Sequence, residues 1–137
     1  MNEVERINKK LGFGLMRLPM KDGEVDIEQT CLMVDEFIKA GFNYFDTAHG
    51  YLSGESEKAA KTCLTSRYPR ESFILTNKLT DEYFKTNDDI RHFGISFHDR
   101  AEVLDAILSE YPQIEVVQIQ FNYLDYDDIG VQSRKCY

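Results

Sequence analysis

The segment GFNYFDTAHGY (residues 41–51) decides how this chain is expected to fold. A helical pattern of apolar residues over Ile27–Ala40 ends just before it. Phe42–Asp46 then form a short run typical of a buried strand, with an acid at its last position. His49 and Tyr51 follow within five positions. An acid, a histidine and a phenol just after one strand predict a catalytic site at the carboxyl end of that strand.

Strand and helix patterns alternate on both sides of this segment. Apolar runs of β-forming residues predict strands, and apolar residues at helical spacing predict helices. Because strands that are apolar on both faces need helices outside them, the alternation predicts parallel strands with right-handed helical crossovers. The predicted strands are 11–19, 42–46, 72–78, 90–96 and 115–121, and the predicted helices are 27–40, 53–66 and 101–110.

A doubly wound sheet and a (β/α) barrel both fit this alternation. Both architectures place reactive side chains at the carboxyl ends of strands, where the loops toward the helices begin. The first predicted strand lacks a G-x-G-x-x-G turn opening into a helix, which makes the dinucleotide-binding sheet the weaker of the two interpretations.

Composition limits the classes of partner and the number of domains. A length of 137 residues predicts one domain over residues 1–137. The net charge of -8 argues against nucleic acid or an anionic membrane surface as a partner, although a small anionic cofactor can still occupy a positive pocket. Cys31, Cys63 and Cys136 are far apart, and no signal peptide or membrane span is evident. We therefore expect a soluble cytoplasmic protein with free thiols.

Asp46, Tyr51 and Lys78 are the candidate catalytic residues. A phenol has an ordinary pKa near ~10, so it needs a neighbouring cation to act as an acid near neutral pH. Lys78 closes a predicted strand and can supply that charge, and Asp46 can offset the desolvation of the lysine. Tyr51 would then be the terminal proton donor. On spacing alone, the alternative is a loop-capping Asp46, a surface Tyr51 and a solvated Lys78.

Four segments, taken in order, resemble the aldo-keto reductase family. They are GFNYFDTAHGY, ILTNKL (74–79), IRHFGIS (90–96) and VVQIQFNY (116–123), and the resemblance extends from about Leu11 to Tyr126. It implies a (β/α)8 barrel that reduces carbonyls with NADPH. The chain looks most like a bacterial branch whose members often carry a C-terminal iron-sulfur extension, but it has no such cysteine cluster.

The resemblance also implies a role for each matched residue. Asp46, Tyr51 and Lys78 match three of the four catalytic residues of the family, with Tyr51 as the proton donor. Phe97 stands where the common pattern has an asparagine. Ser96 and Gln118 match the residues that hydrogen-bond the nicotinamide carboxamide, and the full set implied to bind the cofactor is Gly14, Met16, Asp46, Ser96 and Gln118.

The chain also departs from the family pattern. Only Leu79–Asp89 separate the third predicted strand from the fourth, which is too short for a helix, the strand with the catalytic histidine and another helix. His49 is then either a substitute for that histidine or a solvated loop residue. Because a (β/α)8 barrel takes ~250 residues, we expect an internally shortened, C-terminally truncated partial barrel that self-associates through exposed strand edges. The acidic run YLDYDD (123–128) predicts a solvated loop and no metal site.

Two functions from different classes follow. The first is an NADPH-dependent reductase of small carbonyl compounds, with Tyr51 protonating the carbonyl oxygen. The alternative is a catalytically silent partial barrel, acting as an assembly unit or arising as a truncated product of a reductase gene. The loops that select the substrate diverge freely in this fold, so the sequence does not define the substrate.

Overall fold

A computed structural model describes residues 6–78, 92–122, 126–128, 130 and 132–137. Contacts within the chain divide it into two compact units, a first unit of Met1–Thr86 and a second unit of Asn87–Tyr137. The single domain over residues 1–137 stays a prediction.

The first unit alternates strands with helices. In chain order it contains β1 (Gly12–Gly14), β2 (Met20–Lys21), β3 (Glu24–Val25), α1 (Ile27–Lys39), β4 (Tyr44–Asp46), α2 (Glu55–Ala60) and β5 (Ile74–Thr76). Shorter helical turns lie at Tyr51–Gly54, Lys61–Thr65 and Arg70–Ser72, the second of these with π-helical hydrogen bonding.

Three of these strands form a parallel sheet in the order β1-β4-β5. The register aligns Gly14, Asp46 and Thr76 at the carboxyl ends of the three strands. The predicted fold class, parallel strands alternating with helices, is therefore confirmed. The alignment brings the loop after each strand to one edge of the sheet, which is called the carboxyl edge from here on.

The core of the first unit packs α1 and α2 against this sheet. Phe45, on the central strand, is fully buried, and its ring centroid lies 5.2 Å from that of Phe37 on α1. Leu15, Val34 and Leu64 are also fully buried. Burial of these large apolar side chains is the main favourable term that holds the sheet and helices together.

Helix α1 has the boundaries expected from local signals. Asp26 caps its N-terminus by accepting a hydrogen bond from the Gln29 amide at 2.9 Å. The chain leaves the helix at Gly41 with φ +84°, a left-handed conformation that glycine adopts without a Cβ penalty. The predicted helix over residues 27–40 therefore matches the observed one closely.

Two elements differ from the sequence prediction. The apolar run at residues 11–19 contains only the three-residue strand β1, and an unpredicted antiparallel hairpin of β2 and β3 follows it. Asp22 and Gly23 form the hairpin turn with φ +53° and +86°, the conformation that favours Asp-Gly. The predicted helix at 53–66 begins later, at Glu55, because Ser53 is left-handed with φ +55°.

The expectation of free thiols is wrong for two of the three cysteines. Cys31 on α1 and Cys63 on the π-helical turn form a disulfide across a sequence separation of 32. Sequence spacing did not reveal this pair, because packing of the two helical segments brings the cysteines together. The third cysteine, Cys136, lies on a short helix near the end of the chain.

The second unit contains a second parallel pair of strands. Its elements are β6 (Gly94–Phe97), α3 (Ala101–Glu110), β7 (Val116–Ile119) and α4 (Ser133–Cys136). β6 and β7 pair in parallel, with Ser96 opposite Gln118. Of the predicted strand 90–96, the last three residues lie in β6, which extends one residue further to Phe97, and His92 and Phe93 precede the strand. Residues 90 and 91 lie outside the described residues, as does the whole interval Leu79–Asp89.

Residues 123–125 of the predicted solvated loop also lie outside the described part of the chain. Among the residues that are described, no helix is both long and apolar enough to cross a lipid bilayer.

Candidate active site at the carboxyl edge of the first sheet

Asp46 ends the central strand and lies between the two neighbouring strands. The amide of Leu15 donates to the carbonyl of Asp46 at 2.8 Å, and the amide of Thr47 donates to the carbonyl of Thr76 at 2.8 Å. These bonds continue the parallel ladder one residue beyond β1 and β4. The backbone that carries the Asp46 carboxylate is therefore fixed from both sides.

Lys78 reaches across the carboxyl edge to this carboxylate. Its Nζ donates to Oδ2 of Asp46 and lies 3.4 Å from the carbonyl oxygen of Thr47. The side chains of Lys78 and Asp46 are only 24% and 16% exposed, so solvent screens this pair less than an ordinary surface pair.

The same ammonium group lies against Tyr51. Nζ of Lys78 is 5.4 Å from the centroid of the Tyr51 ring, within the range of a cation–π contact. The structure thus brings Asp46, Lys78 and Tyr51 together around one nitrogen atom, as the sequence predicted. The catalytic role of these three residues stays a prediction.

Tyr51 sits on a turn with an unusual backbone. Its amide donates to the carbonyl of Ala48 at 3.1 Å. The next three residues, Leu52, Ser53 and Gly54, all have positive φ, at +51°, +55° and +90°. Two of these are not glycine, and such residues rarely adopt this conformation without support from their surroundings. The turn therefore holds Tyr51 in a defined place before α2 begins.

Buried hydroxyl groups tie α2 to the carboxyl edge. Oγ1 of Thr47 donates to Oγ of Ser56 at 2.7 Å, and Ser56 donates to the carbonyl oxygen of Leu15 at 2.9 Å. All three residues are at most 1% exposed. Because unsatisfied buried hydroxyls are costly, this chain of bonds fixes the first turn of α2 against the exits of β1 and β4.

His49, which the sequence allowed as a substitute for the catalytic histidine or as a solvated loop residue, is 38% exposed at its side chain and is hydrogen-bonded. Its Nδ1 donates to Oε2 of Glu57 at 2.8 Å, and its backbone amide donates to the carbonyl of Lys78 at 2.9 Å. Glu57 also accepts a hydrogen bond from Nδ2 of Asn77 at 2.7 Å. A direct catalytic role of His49 stays a prediction.

Sequence analysis missed Glu57 as a residue of this site. Glu57 lies in the first turn of α2, where acidic residues are common for local reasons alone. The available signal was therefore weak: an acid in the first turn of the helix that directly follows the turn with Tyr51.

Gly14 and Met16 lie where β1 leaves the sheet. Among the described residues, no atom beyond the chain neighbours of Gly14 lies within 4 Å of the position that a Cβ there would take, and Met16 is 50% exposed. Open space over a glycine next to Asp46 allows a flat ring to approach the backbone. The nicotinamide-binding role that the family resemblance implied for these residues stays a prediction.

Ser96 and Gln118 occupy paired positions in the second unit. Oγ of Ser96 donates to Oε1 of Gln118 at 3.4 Å, and both side chains are exposed. A hydroxyl and a primary amide offer the donors and acceptors that complement a carboxamide. Their chemistry fits the predicted contact, and their binding role stays a prediction.

Two carboxyl groups outside the candidate site have a pKa below the ordinary value. Hydrogen bonds from Arg67 and Tyr68 lower the pKa of Asp35, which contacts the two side chains at 2.7 and 2.6 Å. In the second unit, a hydrogen bond from His92 lowers the pKa of Glu115. Both shifts belong to ion pairs that link neighbouring elements.

Comparison with known sequences identifies the family. The sequence model of the aldo/keto reductase family matches residues 10–89, more than half of the chain. The chain belongs to the aldo/keto reductase family. Its membership confirms the family predicted from the motifs, and with it the interpretation of the parallel sheet as part of a (β/α)8 barrel.

Curated relatives of this aldo/keto reductase family member are named as oxidoreductases. Norsolorinic acid reductase B of Aspergillus parasiticus is 27% identical over 123 residues, which cover 85% of this chain and 32% of the relative. The protein of the same name from Dothistroma septosporum is 24% identical over 106 residues, covering 77% and 27%. A Saccharomyces cerevisiae relative, named as the aryl-alcohol dehydrogenase AAD14, is 35% identical over 63 residues, covering 46% and 17%.

The alignments therefore span about a third or less of each of these relatives. The names describe the whole relatives, of which this chain spans only that part.

Proposed function

We propose that this chain is an NADPH-dependent reductase of small carbonyl compounds in which Tyr51 donates the proton. The observation that carries the proposal is the position of Lys78, whose Nζ contacts both the Asp46 carboxylate and the face of the Tyr51 ring. In this family of oxidoreductases, the carboxyl ends of the barrel strands are where chemistry is expected.

The geometry supports a division of labour among the three side chains. Asp46 holds the ammonium group of Lys78 at the carboxyl edge. The ammonium in turn stabilises the negative charge that remains on Tyr51 after its hydroxyl has given a proton to the carbonyl oxygen. Because Asp46 and Lys78 are largely shielded from water, this stabilisation is stronger than between exposed groups.

NADPH is the proposed cofactor, and it would supply the hydride for the carbonyl carbon. Within the first unit, Gly14, Met16 and Asp46 are the residues that the family resemblance proposes for contact with the cofactor. Within the second unit, the resemblance proposes Ser96 and Gln118, whose hydroxyl and amide groups can hydrogen-bond a carboxamide. The supporting observation in the first unit is the space beside Gly14, into which no described residue extends.

A fluorescence titration with NADPH, followed by an assay of carbonyl-dependent NADPH oxidation, tests the proposal. Tyr51→Phe is expected to keep cofactor binding but to lower kcat by about 10²- to 10⁴-fold, the contribution of a general acid. Lys78→Met is expected to lower kcat because it removes the charge beside the phenol.

Matched controls exist for both variants. Tyr111→Phe changes an exposed tyrosine at the end of α3, and Lys58→Met changes an exposed lysine paired with Glu55. Neither should alter kcat. Equal activity of Tyr51→Phe and the wild type would refute the proposed proton donor, and a folded protein that binds no NADPH would favour the silent partial barrel.

We also propose that copies of the chain associate through strand edges. β1 and β5 are the outer strands of the three-stranded sheet among the described residues of the first unit. An outer strand presents unpaired backbone groups that a second chain can use. The supporting observation is Leu11, which directly precedes β1 and is 57% exposed.

The cytoplasm is the proposed location, as inferred from the sequence. The disulfide between Cys31 and Cys63 is the observation that weighs against it, because thiols in that compartment are normally kept reduced. Cell fractionation with an antibody to the protein is expected to recover it in the cytosolic fraction. Recovery only from an extracytoplasmic fraction would overturn this location.

A further inference from the structure

Glu57 uses its two carboxylate oxygens for two different loops. Oε2 accepts from the His49 ring at 2.8 Å, and Oε1 accepts from the Asn77 amide at 2.7 Å. His49 belongs to the loop after β4, and Asn77 directly follows β5. One side chain on α2 therefore joins the exits of two neighbouring strands.

Both of these partners hold the backbone of Lys78. The Lys78 amide donates to Oδ1 of Asn77 at 2.9 Å, and the Lys78 carbonyl accepts from the amide of His49 at 2.9 Å. Glu57, Asn77, Lys78 and His49 thus form a closed ring of hydrogen bonds. Lys78 lies two residues beyond the end of β5, so these contacts replace the sheet ladder at its position.

The ring also supports the turn that carries Tyr51. His49 lies between Ala48 and Tyr51, whose backbone groups hydrogen-bond to each other at 3.1 Å. The hydrogen bond between the His49 ring and Glu57 therefore restrains this turn as well. Glu57 itself is on the helix that Ser56 fastens to the carboxyl edge through buried hydrogen bonds.

We propose that Glu57 is a positioning residue that keeps the Lys78 ammonium between Asp46 and the Tyr51 ring. It acts through Asn77 and His49 and does not touch the reacting atoms. The inference rests on the proposed reductase function for its effect on rate. A carboxylate suits this role because two separate oxygens accept two bonds at once, and bonds to an ionised acceptor are strong.

The test compares Glu57→Ala and Glu57→Gln with the control Glu55→Ala. Glu55 lies in the same helical turn but pairs with the exposed Lys58 at 2.7 Å. Glu57→Ala is expected to lower kcat at least tenfold and to leave the Kd for NADPH within about twofold, because a small misplacement of a catalytic group slows chemistry. Glu57→Gln keeps one acceptor for Asn77 and is expected to recover most of the loss.

Amide hydrogen exchange gives a second measurement that does not depend on activity. In Glu57→Ala, exchange at the amides of His49 and Lys78 should accelerate about tenfold or more, because the side chain that orders both loops is gone. Exchange at Phe45, on the central strand, should not change. Glu55→Ala should alter neither site, and thermal melting shows whether each variant is folded.

The possible outcomes separate this inference from the proposed function. Accelerated exchange with a fall in kcat that Gln reverses supports the positioning role. Unchanged exchange at His49 and Lys78, or a fall in kcat no larger than in Glu55→Ala, overturns it. If the wild type reduces no carbonyl but exchange accelerates as expected, the reductase proposal fails and Glu57 still positions Lys78. If Glu57→Ala does not fold, the same comparisons are made with Glu57→Gln, whose expected losses are smaller but in the same direction.

Discussion

At the scale of single residues, the candidate site depends on charges that are held in place by neutral groups. The ammonium group of Lys78 pairs with Asp46, whereas the backbone of Lys78 is hydrogen-bonded by the Asn77 side chain and the His49 amide. The attraction between two charges does not define the orientation of the lysine side chain. The hydrogen bonds to its backbone define that orientation, because each has a short range and a preferred angle.

Asp35 provides a test of pH dependence away from this site. Its pKa is lowered by hydrogen bonds from Arg67 and Tyr68, so the unfolded chain takes up a proton more readily than the folded chain in acid. The contribution of Asp35 to the free energy of unfolding is fully present at pH values above the ordinary aspartate pKa of ~3.9. It is lost as the pH falls through the lower pKa of Asp35 in the folded state.

Asp35→Asn is therefore expected to destabilise the protein at pH 7 and to reduce the further loss of stability on acidification. Urea unfolding midpoints at about pH 7 and pH 3 measure both effects. Glu36→Gln is the control, because Glu36 is 73% exposed and pairs with its exposed helical neighbour Lys39. Parallel midpoint curves for Asp35→Asn and the wild type would contradict this prediction.

At the scale of elements, short strands and helices are joined by specific local links. β1, β4 and β5 have three residues each, shorter than most strands in globular proteins. Their backbone hydrogen bonds alone therefore contribute little to the stability of the unit. The Cys31–Cys63 disulfide and the hydroxyl chain from Thr47 through Ser56 connect helices to each other and to the sheet. The left-handed turn at Leu52–Gly54 sets where α2 begins.

Reduction of the disulfide is expected to lower the free energy of unfolding by about 3–4 kcal/mol. The value follows from the loop that the bond closes, with its sequence separation of 32. Urea unfolding with and without dithiothreitol measures the loss. In the matched variant Cys31→Ala/Cys63→Ala, dithiothreitol should not change the free energy of unfolding. If dithiothreitol changes this free energy equally in the variant and the wild type, the Cys31–Cys63 disulfide is refuted.

At the scale of the whole molecule, the chain consists of two compact units, each with its own parallel strand pairing. The first unit carries the candidate catalytic residues, and the second carries Ser96 and Gln118. The net charge of -8 favours solubility of separate copies, whereas outer strands favour their association.

Light scattering over a range of concentrations tests the association. The average mass is expected to rise above that of one 16.0 kDa chain as concentration increases. Leu11→Lys should reduce the rise, because a charge next to an outer strand opposes edge pairing. Leu108→Lys, at a partly exposed position on α3, is the control. A mass that stays at one chain throughout would contradict edge association.

The sequence by itself determined the alternation of parallel strands and helices, the family and the three candidate catalytic residues. These follow from local patterns: apolar periodicity along each strand or helix, and polar residues directly at strand ends, as at Asp46 and Lys78. The tertiary structure alone decided the Cys31–Cys63 bond and the two partners of Glu57. Those contacts join residues 8 to 32 positions apart on different elements and loops. No local pattern predicts them, because the packing of helical segments and strand exits against one another brings such atoms within bonding range.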